Sequence, residues 1–206
     1  MAHPTNNSRT YLNSLLQQRN EHPENHSEID RQIQETFSQT HAIMVLDMSG
    51  FSRLTLRYGI IPFLASLHRL TAIATPIVKE HGGSVIKLEA DNIFAVFPQV
   101  NHAVDASTDI LRCLFAVNIG LPDELDLYSS IGIGYGEVLM VADEDLYGSE
   151  MNLACKLGED LAQPGEILLT ESAFAQVDPT AKKWEKLEMS VSGLELIVYK
   201  TKLTTV

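Results

Sequence analysis

Apolar residues are sparse over positions 1–40 and dense from Ala42 onward, so the chain divides near residue 40. The first stretch is rich in Asn, Gln, Ser, His and Glu, yet two helical faces stand out in it. Leu12, Leu15 and Leu16 cluster on one, and Ile29, Ile33 and Phe37 recur at intervals of four on the other, as one stripe of a helix does. Ser27 with Asp30 is the expected start of the second helix. His22 and His26 have metal-ligand spacing, but Pro23 between them makes a solvated linker the better reading. Residues 1–40 are read as a polar helical lead-in that docks on the domain of residues 41–206, or on a second copy of it, and that offers a place for a regulatory partner.

Ala42 to Leu46 is an apolar run of strand length that ends in Asp47-Met-Ser-Gly50 and a turn into a helix. Phe63, Leu64, Leu67, Leu70, Ala74, Ile77 and Val78 follow at helical spacing. Pro62 suits the first turn of that helix, Pro76 is expected to kink its end, and Gly82-Gly83 stops it. Ser84 to Leu88 and Ile93 to Phe97 are strands around a tight Glu-Ala-Asp-Asn turn. Ala103 to Val117 carries a second helical pattern, and Tyr128 to Tyr135 reads as a strand. The order β-α-β-β-α-β is the split unit of ferredoxin-like α+β folds. Beyond it the pattern predicts a hairpin around Asp143, a helix from Glu150 to Leu161, a strand from Glu166 to Thr170 and a short helix. Extra C-terminal strands are expected near Glu185 and over Leu194 to Tyr199.

Charge narrows the partners. Fifteen Lys+Arg against 27 Asp+Glu leave a formal charge of −12, which argues against nucleic acid and against a polybasic membrane-surface protein. Arg112 is the sole Lys or Arg between Leu88 and Cys155. A phosphate ligand is therefore expected only in company with divalent cations. Cys113 and Cys155 lack CxxC spacing and point to a reducing compartment. Met1 to Thr10 has no apolar signal core, and the apolar stretch Ile60 to Val78 is interrupted by His68 and Arg69. No membrane segment and a cytoplasmic location are the expectations.

Asp47 closes a buried strand immediately before a Ser-Gly turn. Taken alone it is an ordinary cap or turn carboxylate; functionally it is a carboxylate held at a strand end, with Gly50 letting backbone approach a phosphate. Asp91 is equally ordinary as a turn residue. In a ferredoxin-like sheet, however, the end of the first strand and the tip of the central hairpin meet at one edge. Two carboxylates there make a hard-oxygen site suited to Mg²⁺ or Mn²⁺.

Asp47-Met-Ser-Gly-Phe51, Lys87-Leu-Glu-Ala-Asp91, Asp145-Leu-Tyr-Gly-Ser-Glu-Met-Asn152-Leu-Ala-Cys-Lys156 and Gln163-Pro-Gly-Glu-Ile-Leu-Leu-Thr170 occur in this order. With these motifs the sequence resembles the catalytic domain of class III adenylate and guanylate cyclases, over about Ala42 to Thr170 and more loosely to Lys200. The resemblance implies a class III cyclase catalytic domain over residues 41–206, with a ferredoxin-like βαββαβ core. Asp47, Asp91 and the Met48 carbonyl then match the ligands of two metal ions per site, Mg²⁺ or Mn²⁺. Gly50 and Phe51 fall beside the substrate. Lys87 matches the purine-reading lysine and Asp145 its acidic partner. Chemically that pair fits adenine, because an ammonium donates to ring N1 and a carboxylate accepts from the N6 amino group. Asn152 matches the residue that orients the ribose, and Lys156 stands at the position of a transition-state arginine.

The match departs from the family at three places. Lys156 is a point charge where the family has a planar fork. Gly136 to Gly148 is short and carries no Lys or Arg, and Ser192-Gly193 stands where Lys-Gly is common. Lys182, Lys183, Lys186 and Lys200 are the cations left to substitute. Because the chain carries both the metal set and the base-reading set, the resemblance implies a head-to-tail homodimer that converts a nucleoside triphosphate, ATP by preference, to cyclic AMP and pyrophosphate. The alternatives are a degenerate cyclase fold acting as a regulatory or nucleotide-binding dimerisation module, and a cyclase for GTP or a pyrimidine triphosphate.

Overall fold

The computed structural model describes residues 7–122, 125–191 and 193–203. Two lead-in helices, α1 (Arg9–Glu21) and α2 (His26–Phe37), are joined by a 3₁₀ turn at Pro23–Asn25. Ser8 caps α1, its hydroxyl accepting from the Tyr11 N–H. The second helix starts at His26 rather than at Ser27, and Asn25 precedes it. His22 pairs with Glu24, while the His26 ring lies 2.7 Å from the Pro23 carbonyl. Ile29, Ile33 and Phe37 are buried as the stripe required; Leu12 and Leu15 join them, but Leu16 remains exposed.

The first strand, β1 (Ser38–Met48), follows α2 without a break. It begins earlier than the apolar run because the polar residues Ser38 to His41 pair with a long partner strand, Ser38 opposite Leu139. After it come α3 (Phe51–Tyr58), α4 (Ile60–Glu80), β2 (Ser84–Glu89), β3 (Asn92–Phe97), α5 (Val100–Asn118), β4 (Ser129–Val141) and β5 (Asp145–Tyr147). Then follow α6 (Ser149–Cys155), a π-helical turn (Lys156–Leu161), β6 (Glu166–Thr170), α7 (Glu171–Phe174), β7 (Glu185–Val191) and β8 (Leu194–Lys202). Where one helix was expected after Gly50 there are two, broken at Gly59, whose φ of 86° is left-handed. The helix expected over Glu150 to Leu161 is likewise split, its second half widened into the π turn.

Among the described residues the eight strands form one sheet in the order β2-β3-β1-β4-β6-β8-β7, with β5 folded back on β4. The first four places are the antiparallel ferredoxin-like core, and β6 joins it parallel to β4. Alternation along β1 sorts its two faces. Ala42, Met44, Leu46 and Met48 point into the main core under α4 and α5, together with Phe97, Leu70 and Ile110. Ile43 and Val45 point the other way, into a smaller core with Phe94, Leu146 and Ala154 beneath β5 and α6. Helix α4 is long and apolar enough to cross a membrane by length and composition. Its Phe63, Leu70, Ala74 and Val78 are nevertheless buried in the main core, while Leu56, Ile60, Ile61 and Leu64 near the α3–α4 junction are exposed. The lead-in helices close a third cluster, in which Leu12, Leu15, Ile29, Ile33 and Phe37 pack against Val141 and Leu139 of β4.

Candidate active site

Asp47 shares the parity of Ile43 and Val45, so its carboxylate lies on the α6 side of the sheet at the end of β1. It faces Asn92 on one neighbouring strand and Ser130 on the other. The β2–β3 turn bends back over this end, and the Met48 N–H donates to the Asp91 carbonyl at 3.1 Å. Ala90 in that turn takes a left-handed φ of 53°, which makes the reversal tight enough to bring Asp91 to Asp47. The π turn adds two acids to the same place: Asn92 donates to Glu159 at 3.1 Å, and Asp160 follows Glu159.

Electrostatics identify what this corner lacks. Burial pushes the Asp47 carboxyl up, and the nearby charges of Asp91, Glu159 and Asp160 push it further, to about 7, against a hydrogen bond from Ser130. Glu159 is raised as well, by burial and then by Asp160, Asp91 and Glu89. The Oδ1 of Asn92 is also buried without a hydrogen-bond partner. Hard carboxylate oxygen atoms crowded at one corner fit a divalent cation, which would relieve the repulsion and satisfy the acceptors. No cluster of three or more His, Cys, Asp or Glu side chains arranged around a point is present among the described residues, so a metal here would rest on Asp47, Asp91 and backbone oxygen.

Lys87 and Asp145 were read from motifs 58 residues apart, and the fold brings them within 3.1 Å of each other. Lys87 sits in β2 opposite Phe94, just past a bulge at Val85/Lys87, with its ammonium 4.7 Å from the Phe94 ring centroid. Burial alone would lower its pKa, but the bonds to Glu89 and Asp145 outweigh that and raise it. Asp145 opens β5, which a turn with left-handed Ala142 and Asp143 folds onto β4. Burial pushes its carboxyl up; hydrogen bonds from Arg9, Tyr147, Lys87 and the Leu146 N–H overcome this and hold it well below the usual carboxylate range.

Of the remaining expected residues, Asn152 and Lys156 lie on the α6 side of the sheet, and Gly50 and Phe51 follow the end of β1. Asn152 is exposed on α6, and Lys156, four residues on, begins the π turn within electrostatic reach of Glu159. Gly50 has a left-handed φ of 91° and starts α3. Phe51 is the first residue of α3, and its side chain lies outside what is described, as does Ser192. Three of the four cations named as substitutes gather elsewhere, while Lys186 lies on β7. Lys182 pairs with Asp105 on α5 and Lys200 with Glu166 and Glu185; together with Lys183 they line a cavity of about 420 Å³ between α5 and the end of β8.

Sequence reasoning missed four residues of the site. Glu159 and Asp160 carried a signal, an acid pair directly after Gly158 at the end of a helical pattern. Arg9 and Tyr147, which hold Asp145, carried none for this contact.

No protein-family pattern matches the chain and no curated protein matches it. Solved structures do. The catalytic core of a rhodopsin-guanylyl cyclase with converted specificity, in complex with ATPαS, aligns over 81% of this chain and 99% of its own at 20% identity, with a TM-score of 0.69. A bacterial light-regulated adenylyl cyclase aligns over 79% of this chain and 51% of its own at 24% identity, TM-score 0.68. An adenylate/guanylate cyclase/hydrolase from Silicibacter pomeroyi aligns over 79% and 96% at 22% identity, TM-score 0.66. The chain therefore has the fold of class III adenylate and guanylate cyclase catalytic domains, as its motifs implied.

Proposed function

We propose that the protein is a nucleotidyl cyclase that converts ATP to 3′,5′-cyclic AMP and pyrophosphate, working as a head-to-tail homodimer with Mg²⁺ or Mn²⁺. The observation that carries this reading is the meeting of Lys87 and Asp145 at 3.1 Å on the sheet face that also carries Asp47. In the reaction the ribose 3′-oxygen bonds to the α-phosphorus, the bond from that phosphorus to the bridging oxygen breaks, pyrophosphate leaves and the hydroxyl proton is released. Bound divalent metal supplies Lewis-acid activation of the hydroxyl and neutralises the triphosphate. Asp47 and Asp91, with the Met48 carbonyl, would hold it. Gly50 and Phe51 border the triphosphate. Lys87 and Asp145 select and orient the base, Asn152 orients the ribose, and Lys156 places a positive charge near the reacting phosphate.

Leu56, Ile60, Ile61 and Leu64, large aliphatic side chains exposed on the two helices that follow β1, support pairing with a second copy. A cytoplasmic location, with no nucleic-acid or membrane partner, agrees with the charge of −12.

A second reading is a cyclase fold without activity, serving as a regulatory dimerisation module. Lys156 in place of arginine favours it, as does the placement of Lys182, Lys183 and Lys200 around a separate cavity. Incubating the protein with each of the four nucleoside triphosphates and Mn²⁺ or Mg²⁺, with mass-spectrometric detection of cyclic products, decides between them. Cyclic AMP is the expected product; cyclic GMP in excess of it removes the adenine assignment, and no cyclic product from any triphosphate removes the enzyme.

A further inference from the structure

The base-reading carboxylate is fully engaged by its own chain. The Oδ2 of Asp145 accepts from the Arg9 Nη2 at 2.7 Å and from the Tyr147 hydroxyl at 2.7 Å. Its Oδ1 accepts from the Leu146 N–H at 2.9 Å and from the Lys87 Nζ at 3.1 Å. An ionised carboxylate offers about four lone-pair sites, and four donors occupy them. An adenine amino group arriving at Asp145 has no acceptor until one donor leaves.

The four donors are not equally removable. The Leu146 N–H belongs to the adjoining backbone, and Lys87 is itself a base reader. Tyr147 follows in the same short strand. Arg9 comes from the first turn of the lead-in, 136 positions away in the chain, with its side chain about half exposed. It also donates to the Tyr147 hydroxyl at 3.0 Å, which orients that hydroxyl onto Asp145. The lead-in is docked on the same hairpin: the Asn7 side-chain oxygen accepts from the Ala142 N–H at 2.8 Å, and Leu12 and Leu15 pack in the cluster that includes Val141.

We propose that Arg9 is a specificity-determining gate of the base pocket, an intramolecular competitor for the purine amino group at Asp145. This rests on the cyclase reading of Lys87 and Asp145. With Arg9 seated, the pocket presents cationic donors and disfavours the adenine amino group. Guanine offers a carbonyl oxygen at that position and can accept from a donor. With Arg9 withdrawn, an Oδ2 lone pair opens and the pocket favours adenine. Whatever binds the lead-in and lifts α1 from the hairpin thereby changes affinity for the base.

The test is binding of 3′-deoxy-ATP and 3′-deoxy-GTP, which lack the attacking hydroxyl and cannot cyclise, to the full chain with Mn²⁺. Arg9→Gln should bind 3′-deoxy-ATP about tenfold more tightly than the parent, the scale of one charge-assisted hydrogen bond removed from competition. The ratio of adenine to guanine affinity should rise with it, whereas a purely structural role of Arg9 leaves that ratio unchanged. Arg9→Lys, which keeps the charge without the fork, should fall between. Tyr147→Phe frees a site on the same oxygen, leaves the Arg9 bond to Asp145 in place while removing its bond to the hydroxyl, and should shift the ratio in the same direction. An unchanged or falling ratio in Arg9→Gln overturns the gate, and absence of binding by all four proteins removes it together with its pocket. Cyclic AMP production with an unchanged ratio leaves the cyclase standing without the gate; a raised ratio without any cyclic product leaves the gate without the cyclase.

Discussion

A Cβ placed on Gly132 would lie 2.6 Å from the backbone nitrogen of Gly158 and 2.1 Å from the Ala154 carbonyl. The π turn thus rests directly on the backbone of β4, with no side chain between. Gly158 meets the Val45 carbonyl at 2.9 Å in the same sense. This approach carries Glu159 and Asp160 down to the Asp47 end of the sheet. Gly132→Ala must push α6 and the π turn outward, and overpacking of this kind costs about 1–3 kcal/mol or more when backbone is the obstacle. Thermal unfolding should show a clear loss of stability, and the same variant should weaken Mn²⁺ binding. Unchanged values for both would mean that the π turn is free to move without consequence for the acid cluster.

Asp47 should make the metal-free protein less stable as pH rises. Its carboxyl titrates near 7 in the folded chain because of burial and the neighbouring acids, against about 4 when unfolded. Below pH 4 both states are protonated and the group is silent. Between about 4 and 7 the unfolded state ionises while the native state retains its proton, so stability falls with rising pH and levels off above 7. Asp47→Asn should abolish this component and raise the metal-free melting temperature near pH 7.5. Divalent metal competes with the proton for the same oxygen atoms, so stabilisation by Mn²⁺ should be larger at pH 7.5 than at pH 5. In turnover the same substitution should cost about two to three orders of magnitude, the scale of lost Lewis-acid support. A stability profile identical to that of Asp47→Asn would show that the acids do not repel one another as described.

What the sequence revealed and what it hid have physical reasons. Glu166 to Thr170 was legible to the residue, because a fully apolar strand core sits between a Pro-Gly turn and a helix start. The approach of the Asp91 turn to the end of the Asp47 strand was legible from the ferredoxin-like order of elements, and the pairing of Lys87 with Asp145 from the resemblance of their motifs to those of cyclases. Ser38 to His41 were not, since their strand character comes from pairing with β4 rather than from their own polarity. The break at Gly59 was masked by Ile60 and Ile61, which begin the apolar run directly after it. The alternating glycines Gly132, Gly134 and Gly136 were a usable signal, one strand face stripped of side chains where Ala154 and Glu150 of a helix press against it. Arg9 was beyond reach, because its contact depends on how two lead-in helices dock.

Lys87→Ala should act on the base rather than on the metal. Its ammonium is held between Glu89 and Asp145 above Phe94, where the proposed reaction would seat the base. Removing a charge-assisted hydrogen bond to the ring should raise KM for ATP about tenfold or more. The Mn²⁺ concentration giving half-maximal rate should stay within error, since Asp47 and Asp91 are untouched. A matching shift in metal requirement would place Lys87 in the phosphate grip and remove it from base recognition.

Sharing of sites between two copies makes the sharpest demand on the proposed architecture. In the proposed reaction Asp47 and Asp91 would hold the metal, while Lys87 and Asp145 would read the base, Asn152 would orient the ribose and Lys156 would face the reacting phosphate. If one copy supplies the first set and its partner the second, Asp47→Ala and Lys87→Ala lesions fall into different sites of a homodimer with two equivalent sites. In a mixed dimer one site carries both lesions and the other carries neither. Random pairing at equal concentrations makes about half of all dimers mixed, and each mixed dimer has one intact site of two. Measured at ATP well below KM, activity should therefore return to about a quarter of the parental value or slightly more, from a level near zero for Asp47→Ala alone and about a tenth or less for Lys87→Ala alone. Titration of one variant against the other should peak at equal amounts. Mixed dimers demonstrated by differential tagging but with no recovered activity would place both sets in the same chain's site, and the head-to-tail arrangement would be wrong.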